Sequence, residues 1–361
     1  MFGVKGLLTN VLTGASVTTS VLMVAVAYSD RINPIDHPLL ACIGMTMPFV
    51  ILANLVLLVA WLFIKWRRAW IPLAGLVLSF GPIRTYFPLH GASKVPEGCI
   101  KVMSYNVCSY NGNQSNPACF DSIIDYLKSQ KADIVCLQED CAPETEKVNA
   151  LFPYNDTLHL MHNDVKTNVM GFHCRYPILK RERIDIPSFT NGSVAYYLKV
   201  GQQTIIVINN HLESFHLSPE DRQGYKDVLN GDMNGEAAEV QTRTLVKKVS
   251  EAMARRAPQA DAIHRYIENH RNYPIIVCGD FNDTPISYTR HTIAQGLIDC
   301  FAATGTGSGT SYNQKGFRFR IDHILCSDDF KPFRCMVDDN TKSSDHYPII
   351  AYLQLDGFFN K

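Results

Sequence analysis

Residues Leu39 to Ile64 run without one charged side chain and are rich in leucine, valine, isoleucine, alanine and phenylalanine. That run exceeds the ~20 apolar residues a bilayer core requires, so 39–64 reads as a transmembrane helix. Residues 7–28 also lack charge, although Thr9, Asn10, Thr13, Ser16, Thr18, Thr19 and Ser20 dilute them. Residues 69–89 are interrupted only by Arg84, near an end where a long side chain can snorkel. Three such runs in succession are not the pattern of a soluble helical bundle. The expectation is a membrane anchor, residues 1–92, with about three transmembrane helices (about 7–28, 39–64 and 69–89).

Lys65, Arg67 and Arg68 crowd the short connection after the second run. Positive loops stay in the cytoplasm, so the third run leads outward and everything after about residue 90 lies on the extracytoplasmic side of the cytoplasmic membrane. Ala25-Val26-Ala27 resembles a signal-peptidase site, which would make the first run a signal peptide without changing that direction. Seven of the 34 basic and three of the 34 acidic residues precede residue 98, leaving 27 against 31 beyond it. Such a mildly acidic domain is poorly suited to nonspecific binding of a nucleic-acid backbone.

The rest of the chain repeats one pattern, an apolar strand ending or beginning on polar residues. Ile275-Ile276-Val277-Cys278 leads into Gly279-Asp280-Phe281-Asn282, and Asp280 and Asn282 share a face if the backbone stays extended. Strand-like runs likewise reach Asn106, Gln138-Glu139 and His211, and further strands involve Asp322-His323 and Asp345-His346. Glu139 closing a buried strand needs a partner or a metal. His211 has the alternative of a satisfied core histidine, Asn106 that of a turn or cap, and the side chain of His323 points away from that of Asp322. A set of acids, histidines and amides with no lysine cluster suits a hard divalent cation. Mixed strands and helices of this length suggest a layered α/β domain. Residues 217–271, charged and helical in period, read as a surface excursion broken at Gly231, Asn234 and Gly235. Of the eleven cysteines, Cys42 falls in the second run, and Cys136 and Cys278 read as buried thiols. Cys99, Cys119, Cys141, Cys174, Cys300 and Cys335 are candidates for disulfides in an oxidising compartment. No paired C-x-x-C zinc spacing occurs.

In their order, Ser104-Tyr105-Asn106-Val107, Leu137-Gln138-Glu139, Asn210-His211-Leu212, Gly279-Asp280-Phe281-Asn282, Arg320-Ile321-Asp322-His323-Ile324 and Ser344-Asp345-His346-Tyr347-Pro348 resemble the motifs of the endonuclease/exonuclease/phosphatase superfamily. The resemblance covers about 99–356. It implies a four-layer α/β sandwich, two mixed β-sheets flanked by helices, here preceded by transmembrane helices. It also implies Mg²⁺-dependent phosphoester hydrolysis, with Mn²⁺ as a substitute. Carried over, Glu139 is the main metal ligand, helped by Asn106 and Asp345. His346 acts on the scissile phosphate or the attacking water, with Asp322 polarising its ring. Asp280 orients or deprotonates the water, or protonates the leaving group, and Asn282 and His211 bind phosphate oxygens.

The chain departs from two branches of that superfamily. The Trp-x-Asp-Arg run of the 5-phosphatases is replaced by Phe319-Arg320-Ile321-Asp322-His323, and the Asn-Gly-Ile-Arg-like run of the AP endonucleases is missing after Asn106. With a membrane anchor and an acidic domain, these departures favour a small-molecule or lipid-linked phosphoester. The competing readings are an extracytoplasmic nuclease and a non-catalytic, membrane-tethered binding module. No protein partner is implied.

Overall fold

The computed structural model describes residues 4–91, 93–110, 118–142, 144–162, 165–188, 190–215, 217–314 and 317–356. Five helices come first: α1 (Val4–Ala27), α2 (Pro38–Ala41), α3 (Met47–Ile64), α4 (Trp70–Leu78) and α5 (Phe80–Tyr86). Then follow β1 (Ile100–Asn106), α6 (Cys119–Gln130), β2 (Ile134–Gln138), α7 (Thr145–Asn149), β3 (Tyr154–His162), β4 (Val165–Cys174), β5 (Ile178–Ile184), β6 (Gly192–Val200) and β7 (Gln203–His211). The chain continues through α8 (Pro219–Asn230), α9 (Gly235–Asn269), β8 (Ile275–Asp280), α10 (Tyr288–Ile293), β9 (Ile298–Asp299) and α11 (Cys300–Thr304). It closes with β10 (Tyr312–Gln314), β11 (Phe317–Phe319), β12 (Asp322–Cys326), β13 (Phe330–Val337) and β14 (Ile349–Leu355).

Two mixed six-stranded sheets, ordered β13-β14-β1-β2-β4-β3 and β5-β6-β7-β8-β12-β9, pack face to face. The period of two decides which residues meet between them. Ile100 and Val102, Ile134 and Cys136, Ile205 and Val207, Ile276 and Cys278, and Ile324 and Cys326 share the central core. Continuing each strand by steps of two carries Asn106, Gln138, His211, Asp280 and Asp322 onto the same inner faces, at the end of the sandwich where the apolar filling stops. The opposite faces are covered by α6, through Ile123 and Leu127, and by α9, through Ala260, Ile263 and Ile267.

Residues 217–271 are therefore not a surface excursion. Asn234 caps a 35-residue helix whose first half is largely exposed. Its second half buries Met253, Arg256, Gln259 and Ile263 and forms the outer layer over the second sheet. The cysteine expectation also changes: Cys119, Cys174, Cys300 and Cys335 are buried, and the eleven cysteines are free thiols.

Two helical stretches, Gly6–Arg31 and Pro38–Ile64, are long and apolar enough to cross a membrane, with mean hydropathies of 1.7 and 2.5. Polar side-chain contacts join them. Trp61 Nε1 donates to Ser16 Oγ (2.8 Å), Ser20 Oγ to Asn54 Oδ1 (3.1 Å), and Asn54 Nδ2 to the Thr19 carbonyl (3.1 Å). The segment 69–89, expected as one helix, is two helices of nine and seven residues meeting at Ser79. Pro82 explains the break, because it has no N–H to offer the Leu78 carbonyl four residues back, and that carbonyl accepts the Tyr28 hydroxyl instead (2.8 Å).

The N-terminal helical segment has two distinct ends. At one, Arg68 Nη1 bonds the Thr9 carbonyl (3.2 Å) and the Thr13 hydroxyl. At the other it docks on the α/β domain. Ile286 packs with Met23, Val26 and Met47, and His291 Nδ1 lies 3.2 Å from Asp30 Oδ2. The buried guanidinium of Arg320 holds the Thr85 and Tyr86 carbonyls at the end of α5.

Candidate active site

Register assembles the site. β7 and β8 are parallel with His211 opposite Asp280, and β8 and β12 are antiparallel with Asp280 opposite Asp322, so three strands place these residues in one row. In the facing sheet β1 and β2 run parallel with Asn106 opposite Gln138, and the chain then turns at Glu139 (φ 54°). Asn282 also has a left-handed backbone (φ 52°). Strain at two residues of one site is the kind that a surrounding structure must hold in place. Gly279 supplies the close approach between β7 and β8. Its φ is 139°, and a Cβ there would lie 2.0 Å from the Asn210 carbonyl oxygen.

The expected residues Asn106, Glu139, His211, Asp280, Asn282, Asp322, Asp345 and His346 all converge on this end of the sandwich. Asn106 Nδ2 donates to Glu139 Oε1 and Asp280 Oδ2, at 3.1 Å each, tying the two sheets' carboxylates together, while its Oδ1 accepts the Cys108 N–H (3.0 Å). His346 Nδ1 is hydrogen-bonded to Asp322 Oδ2 (2.8 Å), and its Nε2 faces Asp280 Oδ2 at 3.7 Å. His211 Nε2 is 3.7 Å from Glu139 Oε1 and 3.9 Å from Asp280 Oδ2. The Asn282 N–H donates to Asp280 Oδ1 (2.8 Å), and its Nδ2 donates to the Leu212 carbonyl (2.9 Å). His323, by contrast, is buried on the far face of β12, its Nε2 3.1 Å from the Asp283 carbonyl oxygen.

Burial pushes the Asp280 carboxyl up to about 6, against the lowering pull of His346. Burial would lower the His346 imidazole, but Asp322 and then Asp280 outweigh it and hold the ring well above its usual value. His346 therefore lies between the carboxyl groups of Asp322 and Asp280.

The donor set fits a hard divalent cation. Asp280, Asp322 and His346 each bring a ligand atom within 4.8 Å of the others. Asp322 and His346 are already engaged with each other, however, whereas the Glu139 side chain is one-third exposed and has only an amide and a histidine beside it. Glu139 is the carboxylate best able to accept a cation, and the buried, unpartnered Asp322 Oδ1 marks the same excess of oxygen acceptors.

Four supporting residues were not among the expected site residues. Asn168, in mid-β4, donates its amide to His211 Nδ1 (3.0 Å) while its Oδ1 accepts the Val169 N–H, so the His211 proton sits on Nε2, towards the carboxylates. Gln138 Nε2 donates to Asn209 Oδ1 across the sheets (2.7 Å), a buried polar tie beneath the site. Ser311 Oγ accepts the N–H groups of Ile321 and Asp322, fixing the start of β12. Only the Gln138 amide was visible in sequence, as part of a strand end, and nothing there announced its partner.

Asn106, Glu139, Asp280, Asn282, Asp345 and His346 line a cavity of about 330 Å³ together with Met45, Phe215, Leu217, Phe317 and Phe319, and Arg222 is the one arginine or lysine among its described lining residues. Met45 comes from the N-terminal helical segment, between α2 and α3.

The model of the endonuclease/exonuclease/phosphatase family matches residues 103–346, and one described as a domain of unknown function matches residues 9–86. No curated protein matches the chain. Among solved structures, it is similar to an endonuclease/exonuclease/phosphatase family protein from Bacteroides thetaiotaomicron, at 16% identity and a TM-score of 0.52 over 72% of this chain and 96% of that one. It is also similar to a humanized D. rerio TDP2 (14%, TM-score 0.51, 71% and 99%) and to the catalytic domain of human Nocturnin with a bound sulfate anion (15%, TM-score 0.50, 71% and 93%). At these identities the likeness carries the fold.

Proposed function

This chain belongs to the endonuclease/exonuclease/phosphatase family, and on that premise we propose that it is a membrane-anchored, Mg²⁺-dependent phosphoesterase whose substrate carries an apolar group. Members of the family are generally hydrolases of phosphoester bonds. The observation that carries the substrate reading is the mixed lining of the cavity, where the polar candidate catalytic groups are joined by aromatic and aliphatic side chains, including Met45 from the N-terminal helical segment. A phosphate on the polar floor leaves its ester substituent against the apolar wall, as in a lipid-linked phosphoester.

Each residue then has a task. Glu139, with Asn106 and Asp345 nearby, would hold Mg²⁺, which would supply positive charge for the phosphate oxygens as negative charge develops on them. His346, positioned by Asp322, donates from Nε2 to a nonbridging oxygen. Asp280, oriented by the Asn282 N–H, accepts the proton of the attacking water as its oxygen bonds to phosphorus, and passes it to the ester oxygen as the P–O bond to the leaving group breaks. His211 donates from Nε2 on the Glu139 side, Asn282 lines the phosphate site, and Arg222 meets the substrate's remaining negative charge. A nuclease reading has less support, because Arg222 stands alone and the domain is mildly acidic.

The topology has support from both ends of the anchor. The basic 65–68 connection contacts the start of α1, whereas the α/β domain docks on the end of α1 and the end of α5. With the basic end cytoplasmic, the catalytic domain is extracytoplasmic. A membrane-impermeant thiol probe that labels Cys99 or Cys141 only after the membrane is opened would sink that orientation.

The activity test uses the full chain in detergent, with Mg²⁺ or EDTA, on bis-p-nitrophenyl phosphate, p-nitrophenyl phosphate, plasmid DNA, sphingomyelin and inositol phosphates. Metal-dependent turnover strongest on the lipid and lost in His346→Ala is expected. Preferred cleavage of plasmid DNA would move the assignment to the nuclease reading, and a Glu139→Gln variant that keeps Mg²⁺-stimulated hydrolysis would remove Glu139 as the metal ligand.

A further inference from the structure

A larger cavity, about 760 Å³, lies behind the catalytic wall. Its sides are β13, the 304–310 loop and His90, Gly91 and Ser93, which follow α5. Arg318, Arg334 and Lys342 face it against the single carboxylate of Asp339. Among the described residues, no hydrogen bond or ion pair engages the side chain of any of those three cations. Surface arginines and lysines normally reach separate solvent or a nearby acid, whereas three unpaired cations around one concavity concentrate positive potential inside it. The floor is buried Phe301, and Gly309 (φ 58°) folds the loop onto that ring so closely that a Cβ would lie 2.3 Å from it. The Thr304 and Thr310 hydroxyls add hydrogen-bonding groups to the walls.

The cavity shares a partition with the catalytic pocket. Tyr312 and His346 form an isolated antiparallel bridge, flanked by hydrogen bonds from Asn313 N to the Asp345 carbonyl (3.0 Å) and from Tyr347 N to the Ser311 carbonyl (2.6 Å). Successive side chains of an extended strand point opposite ways. Tyr312 and His346 accordingly line the catalytic pocket, while Asn313 and Tyr347 line the second cavity and are hydrogen-bonded to each other. The two spaces are back to back and do not share their cations, since Arg222 serves the first.

We propose that this cavity is a second binding site, for a phosphate-type polyanion with two or more negative charges. Its volume exceeds what a single phosphate fills, and three cations against one acid leave a surplus that such a ligand balances. Arg318 and Arg334 can engage phosphate oxygens through paired N–H groups, and Lys342 as a point charge. The wall that includes His90, Gly91 and Ser93 begins four residues after α5, with His90 Nε2 3.0 Å from the Ala302 carbonyl oxygen and the Gly307 N–H donating to the Pro88 carbonyl (2.9 Å). A phospholipid headgroup and a soluble polyphosphate share the required chemistry. The proposal does not rest on the catalytic reading.

Titration calorimetry on the full chain in neutral detergent with EDTA, using inorganic pyrophosphate, tests it. Wild type is expected to bind, and Arg318→Gln/Arg334→Gln/Lys342→Gln to bind about a hundredfold more weakly or worse. All three side chains are exposed, so that variant retains its fold, checked by circular dichroism. Glu139→Gln and His346→Ala are expected to bind like wild type, which separates this site from the catalytic pocket. Short-chain phosphatidic acid then identifies the source, with short-chain phosphatidylcholine as the control. Displacement of pyrophosphate by phosphatidic acid alone supports a lipid headgroup, and no displacement by either supports a soluble polyanion. Wild type binding neither pyrophosphate nor phosphatidic acid would overturn the proposal. So would affinity unchanged in the triple variant, or lost in Glu139→Gln.

Discussion

Asp322 Oδ2 pairs with His346 Nδ1 while the Asp322 N–H donates to Ser311 Oγ, so the residue that orients the ring is itself held from the segment before β10. Asp322→Asn keeps the volume and removes the charge. It is expected to lower kcat by about a hundredfold to ten-thousandfold, with little change in melting temperature; equal loss of both would make Asp322 structural. At Gly279 the opposite balance holds. Gly279→Ala drives a methyl group into the Asn210 carbonyl at a left-handed φ, so stability should fall by roughly 3 kcal/mol or more in a denaturant titration. What could be read at this scale was set by position along the strand. Asp280, Asp322 and His346 interrupt apolar runs at their tips, where a polar residue has no packing role. Asn168 and Asn209 have functions defined only by a neighbouring strand or the facing sheet, and register across sheets leaves no mark in a single chain.

Among elements, α9 does the most that its composition conceals. Its charged first half made the whole look solvent-facing. Yet Arg256, fully buried, reaches Asp283 Oδ2 (3.1 Å) and the Glu213 carbonyl (2.8 Å), bracing the loops that follow β8 and β7. Periodicity places a buried arginine on the inward face but cannot say that two catalytic loops meet it there. Arg256→Met strands the Asp283 carboxylate and is expected to cost about 3–5 kcal/mol in denaturant unfolding. His323 adds a pH signature to β12. Burial holds its imidazole down at about 4, against 6.5 when unfolded. A depressed base refuses a proton that the unfolded chain accepts, so stability is retained above pH 6.5 and falls as pH drops towards 4, by about 3 kcal/mol in all. His323→Gln should flatten that slope in denaturant midpoints measured at pH 7 and pH 4.5; an unchanged slope would remove His323 as its source.

At the scale of the molecule, the apolar runs and the catalytic grammar were both legible, but the joint between them was not. Arg320 read as part of a motif. In the fold it is an interior clamp on the carbonyls ending α5, stacked on Phe301 (4.2 Å), two residues before Asp322. Arg320→Gln should leave those carbonyls poorly satisfied, costing about 2–3 kcal/mol and exposing the 88–99 connection to faster proteolysis. Cleavage at the wild-type rate would mean the clamp is dispensable.

That clamp has a kinetic meaning as well. An enzyme on a loose tether samples substrate in three dimensions, and its rate follows bulk concentration. On the proposed membrane anchoring, a domain clamped to the N-terminal helices, with Met45 lining its pocket, has its approach angle set in advance and would meet a lipid-linked substrate by lateral diffusion. Diluting such a substrate with inert lipid at constant total amount should slow turnover in proportion to its surface fraction, while diluting the whole suspension with buffer should leave the rate per enzyme unchanged.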